Sequence, residues 1–136
     1  MPFMAWNDKL SVGVAKIDED HKRLVCLINE LYDGIIAGRS DELLGGILDE
    51  LVAYTQYHFA REEKYCEKIR YISTDAHKKE HHSMILWVTD VQNRYRNQTL
   101  VAPSLEVMNY LKDWLFDHII RSDKDLGDRL NALGVQ

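Results

Sequence analysis

Five of the six histidines form a spaced set with two carboxylates: His21, His58 with Glu62, His77 with His81, and His118 with Asp123. Imidazole nitrogens and carboxylate oxygens are ordinary ligands of first-row transition metals. Seven such side chains are too many for one ion. They suit two ions that share the carboxylates. Any one of these histidines alone is more often a surface or core residue than a ligand, so the reading rests on the set and on where the fold puts it.

The elements that would position them are helical. Proline and glycine are scarce, and the apolar residues recur at helical spacing. Asp18 is expected to cap a first helix that stops near Gly38, with an inward stripe of His21, Leu24, Ile28, Leu31 and Ile35. Ser40 caps a second, with a stripe of Leu44, Ile47, Leu51, Thr55, His58, Glu62 and Tyr65. Ser73-Thr74-Asp75 opens a third, with His77, His81, Met84, Val88, Val91 and Tyr95 inward. After a longer connection from Asn97 to Pro103, Ser104 caps a fourth with Met108, Leu111, Leu115 and His118 inward. A short amphipathic tail spans Leu126 to Leu133, and the first seventeen residues read as an extended arm whose Phe3, Trp6 and Leu10 pack on the helices.

The expected fold is therefore all-α, an antiparallel up-down-up-down four-helix bundle with an extended N-terminal arm and a short C-terminal helix, in one domain over residues 1–136. In that topology the starts of odd helices and the ends of even helices share one end of the bundle. His21, His58, Glu62, His77, His81 and His118 all converge there. A spacing of four puts His58 with Glu62, and His77 with His81, one turn apart on one face. His118 and Asp123 are five apart, about 140° around an ideal helix. The helix must end, bend or carry a π-bulge for Asp123 to join the set. His82, about 100° from His81, points to solvent.

Five imidazoles, two bridging carboxylates and one bridging solvent oxygen supply about eleven bonds, where two octahedral ions take about twelve. One position stays open for a small exogenous molecule. Mixed nitrogen and oxygen ligands at high coordination suit iron or manganese better than structural zinc, and imidazole favours iron. The Glu-x-x-His motif of carboxylate-rich di-iron proteins is absent. A histidine-rich site gives the metals less negative charge, which favours reversible binding over O–O cleavage.

The remaining features exclude more than they specify. A chain of 136 residues with net charge −5 and no basic patch is not expected to bind nucleic acid. No apolar run reaches membrane-spanning length and no secretory leader is visible, so a soluble cytoplasmic protein is expected. Cys26 and Cys66 lack the spacing of a disulfide framework or a CxxC site. Cys66 should lie on the ligand-bearing stripe one turn past Glu62, as a packing residue rather than a ligand.

The chain resembles the hemerythrin family, in particular its single-domain bacterial members. The resemblance covers essentially its whole length. It rests on Trp6, Val12-Gly13-Val14, Ile17-Asp18 before His21-Lys22, His58-Phe59 with Glu62-Glu63, and Trp114-Leu115 ahead of His118-Ile119. Ile72, after Tyr71, stands where the family usually has proline, a change confined to a loop. The resemblance implies a non-haem di-iron cofactor, two Fe ions joined by an oxo or hydroxo bridge. His77, His81 and His118 would hold the filled iron, His21 and His58 the iron with the vacancy, and Glu62 and Asp123 would bridge. It implies O2 as the ligand, bound reversibly, and a dry pocket with Leu24, Phe59, Trp114, Leu115 and Ile119 as candidate walls. Oxygen storage, delivery to an oxygen-consuming partner protein, or sensing are the expected roles, in a monomer. The alternative is a di-iron enzyme on the same centre: a peroxidase, a nitric-oxide-handling protein or an iron oxidase.

Overall fold

The computed structural model describes residues 2–97 and 104–136. Four helices form the bundle: α1 (Ala15–Ile36), α2 (Asp41–Ile69), α3 (Thr74–Arg96) and α4 (Leu105–His118). A π-helical turn, Ile119–Asp123, joins α4 to a short α5 (Lys124–Ala132). Among the described residues there is no strand. The connection expected from Asn97 to Pro103 lies, beyond Asn97, outside the described residues.

Local chemistry explains most boundaries. Ser40 Oγ accepts from the Leu43 N–H, and Ser104 Oγ accepts from the Val107 N–H, so both expected caps form. Gly38, at φ 66°, supplies the left-handed step that ends α1. Asp18 does not cap α1, which begins three residues earlier at Ala15. Its carboxylate instead reaches back, accepting from Ser11 Oγ at 2.6 Å and the Val12 N–H at 2.9 Å. It thereby fastens the arm to the first turn. α2 ends on Arg70, which takes the left-handed conformation at φ 52° while the Tyr71 N–H bonds the Cys66 carbonyl at 2.9 Å.

The arm wraps the bundle with one 3-10 turn at Asp8–Leu10. Phe3 stacks on Tyr32, and Asn29 exchanges two hydrogen bonds with the Met4 backbone, both 2.8 Å. Val12 packs so tightly on α5 that a Cβ at Gly127 would overlap the Val12 carbonyl. The core follows the expected stripes, except that Ile35 on α1 is half-buried and the line on α2 shifts. On α2, Leu48 and Cys66 are buried, whereas Ile47 and Tyr65 are half-buried. The expected stripe steps by three and four residues, slightly short of a 3.6-residue turn on average, so over 29 residues the inward line moves on by one, as from Tyr65 to Cys66. Leu126 and Leu130 of α5 are fully buried and close the end of the bundle beside the π turn.

Candidate metal centre

His21 lies in the second turn of α1, His58 and Glu62 near the end of α2, His77 and His81 in the first two turns of α3, His118 at the end of α4 and Asp123 at the end of the π turn. None is more than 5% exposed. The π turn brings in Asp123: the Lys124 N–H bonds the Ile119 carbonyl, five residues back instead of four. The wider turn carries Asp123 round to the face that bears His118.

The seven side chains sort around the two oxygens of each carboxylate. Glu62 Oε1 lies 3.1 Å from His77 Nε2, 3.0 Å from His81 Nε2 and 3.9 Å from His118 Nε2. Glu62 Oε2 lies 3.2 Å from His21 Nε2 and 2.9 Å from His58 Nε2. Asp123 Oδ1 faces His77 and His118 at 3.1 and 3.0 Å, and Asp123 Oδ2 faces His21 at 3.0 Å. Two groups result, Glu62 and Asp123 with His77, His81 and His118, and the same carboxylates with His21 and His58.

Hydrogen bonding among these groups does not account for the arrangement. His58 Nε2 and both Asp123 oxygens are buried without a hydrogen bond, although each has a partner atom within about 3 Å. Unsatisfied buried polar atoms are rare and costly unless something else bonds them. Ligand bonds of about 2.1 Å around an octahedral ion put adjacent donors about 3.0 Å apart. The observed separations match such edges, apart from the 3.9 Å between His118 Nε2 and Glu62 Oε1, so the residues fit two metal ions.

The electrostatics agree. Burial drives the Glu62 and Asp123 carboxyls upward, and for Asp123 the neighbouring Glu62 adds to it; the imidazoles reverse the sign and hold both below the usual carboxylate range. Burial opposes protonation of His58 and His77, yet Glu62 and Asp20 push His58 up to about 10, and Asp123 and Glu62 push His77 up to about 9. The site therefore demands positive charge between its carboxylates, which a pair of divalent ions provides.

A second ring of carboxylates, which the sequence did not flag for this role, orients the imidazoles. Asp20 Oδ2 accepts from His58 Nδ1 at 3.0 Å and Glu63 Oε2 accepts from His81 Nδ1 at 3.2 Å. Glu80 Oε2 lies 3.1 Å from His118 Nδ1 and accepts from Ser122 Oγ at 2.6 Å. A proton fixed on Nδ1 leaves the Nε2 lone pair free for a metal. Asp20, Glu63 and Glu80 each adjoin a ligand in the chain, a spacing that could have marked them. Cys66 is fully buried on the stripe, one turn past Glu62, and its thiol is outside both ligand groups. His82 is exposed, as expected.

One turn inward from the histidines, each helix contributes one buried side chain: Leu24, Thr55, Met84 and Leu115. These, with Phe59, Trp114 and the next layer, line an apolar cavity of about 20 Å³. Leu24, Phe59, Trp114 and Leu115 are thus brought together at one cavity; Ile119 is fully buried but does not line it. Rings brace the same layer: Phe59 stacks on His81 at 3.8 Å and Trp114 on His118 at 4.6 Å.

The model of the hemerythrin HHE cation-binding domain matches residues 12–130. The chain is 33% identical over 134 residues to a bacteriohemerythrin of Stenotrophomonas maltophilia, covering 97% of this chain and 84% of that protein. It is 37% identical over 123 residues to a bacteriohemerythrin of Pseudomonas aeruginosa, covering 90% and 78%. A bacteriohemerythrin of Methylococcus capsulatus is 30% identical over 133 residues, covering 97% and 100%. The crystal structure of a wild-type hemerythrin superposes with a TM-score of 0.87 at 28% identity, covering 93% of this chain and 96% of that one. That of a hemerythrin point mutant gives 0.89 at 28% identity, covering 94% and 97%. A match over most of the length, in sequence and in fold, places the chain in the hemerythrin family.

Proposed function

We propose that the protein binds dioxygen reversibly at a non-haem di-iron centre, for oxygen storage, delivery or sensing. The observation that carries this reading is the unequal division of donors around one carboxylate pair: five side chains on one side and four on the other. With one solvent oxygen between the ions, the side holding His77, His81 and His118 reaches about six donors, and the side holding His21 and His58 reaches about five. The opening belongs to the second side. Two irons held there would supply one electron each to dioxygen and recover them on its release.

The protein's own contribution is to hold, orient and keep dry. Glu62 and Asp123 span the two positions, and buried packing of all seven ligands limits their movement. The cavity beneath them is large enough for about one small molecule and has no spare polar donor. Thr55 is its one polar lining residue, and its hydroxyl already donates to the Leu51 carbonyl at 2.7 Å. A peroxidase, a nitric-oxide-handling enzyme or an iron oxidase on this centre would gain from an acid or base facing the opening. The lining residues offer none, which favours binding over catalysis. Two free cysteines suit a reducing cytoplasm, and among the described residues no helix is long and apolar enough to cross a membrane.

Iron analysis with an optical spectrum, cycled between air and argon, tests the reading. Two irons per chain and a spectrum that returns on removal of oxygen are expected. Immediate decay to an oxidised form that argon does not reverse would rule out reversible carriage. Fewer than about one iron per chain after reconstitution would remove the di-iron centre itself.

A further inference from the structure

The support given to the histidines is uneven between the two metal positions. Asp20, on α1, is 3% exposed. Its carboxylate is gripped from three sides by one face of α2: His58 Nδ1 donates to Oδ2 at 3.0 Å, Arg61 Nε lies 2.8 Å from Oδ2, and Tyr54 Oη donates to Oδ1 at 2.8 Å. Among the described residues His21, His81 and His118 have no support so enclosed. His21 Nδ1 is buried without a hydrogen bond. His81 and His118 face Glu63 and Glu80, whose side chains are 29% and 49% exposed and so screened by water.

A carboxylate that holds Nδ1–H moves electron density toward Nε2 and makes the imidazole a stronger donor. The effect is larger where the carboxylate is buried and unscreened. Arg61 and Tyr54 pin Asp20 so that it cannot turn away to another partner. Resting on the dinuclear reading above, we propose that Asp20 is a positioning residue that strengthens His58, raises the affinity of the His21–His58 position for metal, and favours the ferric over the ferrous ion there. The ion with the opening would thereby be the readier electron donor of the two. Tyr54 and Arg61 act through Asp20.

Cobalt(II) titration of the metal-free protein, read by its visible spectrum, tests this without reference to oxygen. Two binding steps are expected for the wild type. Asp20→Asn should weaken one step by roughly tenfold to a hundredfold and leave the other in place. Tyr54→Phe, which removes one grip on Asp20, should weaken the same step by less. Glu63→Gln and Glu80→Gln should act on the opposite step. In the iron-loaded protein the lower of the two midpoint potentials should rise in Asp20→Asn, by about 59 mV for each tenfold loss of ferric preference. Wild-type affinity for both steps in Asp20→Asn, or equal weakening of both, overturns the proposal. If Asp20→Asn does not fold, Tyr54→Phe and Arg61→Lys decide it, and no change in either overturns it. A wild type that takes up only one cobalt overturns the dinuclear reading, and this proposal with it.

Discussion

Asp123 Oδ1 lies 3.0 Å from Nε2 of His118, a residue five places before it in the chain. In an unbroken α-helix the two side chains would diverge by about 140°. The π turn closes that gap, and the cost of its looser geometry is borne next to the site it completes. Deleting Ile120 would remove the extra residue, leaving Asp123 four places after His118 in α register, about 40° from it and on the same face. The expected outcome is retained helical circular dichroism with two irons still bound per chain. Asp123→Ala, which leaves the turn intact, should instead reduce bound iron to one or fewer. Loss of iron in the deletion variant would mean that the π turn does more than bring Asp123 to the face of His118.

Leu115 separates the histidine layer from the interior, one turn before His118, and is 4% exposed. Shortening it enlarges a cavity that now measures about 20 Å³. Leu115→Ala should cost about 2–5 kcal/mol of stability, the usual range for a buried Leu-to-Ala change. It should also admit water near the opening. Stopped-flow oxygenation followed by slow spectral decay should show faster autoxidation than wild type. An unchanged decay rate would take Leu115 out of the pocket wall.

The parts of the site that were legible in the sequence are those whose geometry is local. Four-residue spacings fix which side chains share a face, and antiparallel order fixes which ends meet, so His21, His58, Glu62, His77 and His81 could be gathered without coordinates. The His118–Asp123 spacing even announced its own irregularity. Asp20 was not legible. Its place beside His21 is a signal it shares with Glu63 and Glu80, but its partners Tyr54 and His58 lie 34 and 38 residues away, so the local sequence does not tell a buried clamp from a solvated helix acid. Asp18 was misread for a related reason: an acid near a helix start can cap forward or tie down the preceding segment, and only the path of the arm decides. On α2 the inward line drifted from Tyr65 to Cys66 because steps of three and four fall slightly short of a helical turn on average, and a long helix accumulates the difference.

The two cysteines should separate cleanly by reactivity. Cys26 is exposed on α1, whereas Cys66 is fully buried. Burial, with the Glu62 and Asp123 charges nearby, pushes the Cys66 thiol up to about 12. Because the shift is upward, Cys66 stays a neutral thiol throughout the neutral and mildly alkaline range, and the thiolate is the reactive species. A colorimetric thiol assay between pH 7 and 9 should count one thiol per folded chain and two after denaturation. Rapid reaction of two thiols in the folded protein would contradict the burial of Cys66 beside the site.

The turn that delivers α3, and with it His77, ends α2 on a strained residue. Arg70 sits at φ 52° and ψ 49°, the only described non-glycine residue with positive φ. Its N–H bonds the Glu67 carbonyl at 3.2 Å and the Tyr71 N–H bonds the Cys66 carbonyl, the pattern that most often has glycine at this place. A side chain in the left-handed region costs about 1–2 kcal/mol, partly offset because glycine loses more backbone freedom on folding. Arg70→Gly should therefore stabilise the metal-free protein by about 0.5–1 kcal/mol, which for a chain of this length is roughly 2–5 °C in Tm. Arg70→Ala should give no such gain, since alanine keeps the Cβ that causes the strain. Thermal melts of the three proteins at one concentration check this. Equal Tm for glycine and wild type would mean that the arginine side chain returns in contacts what its backbone loses.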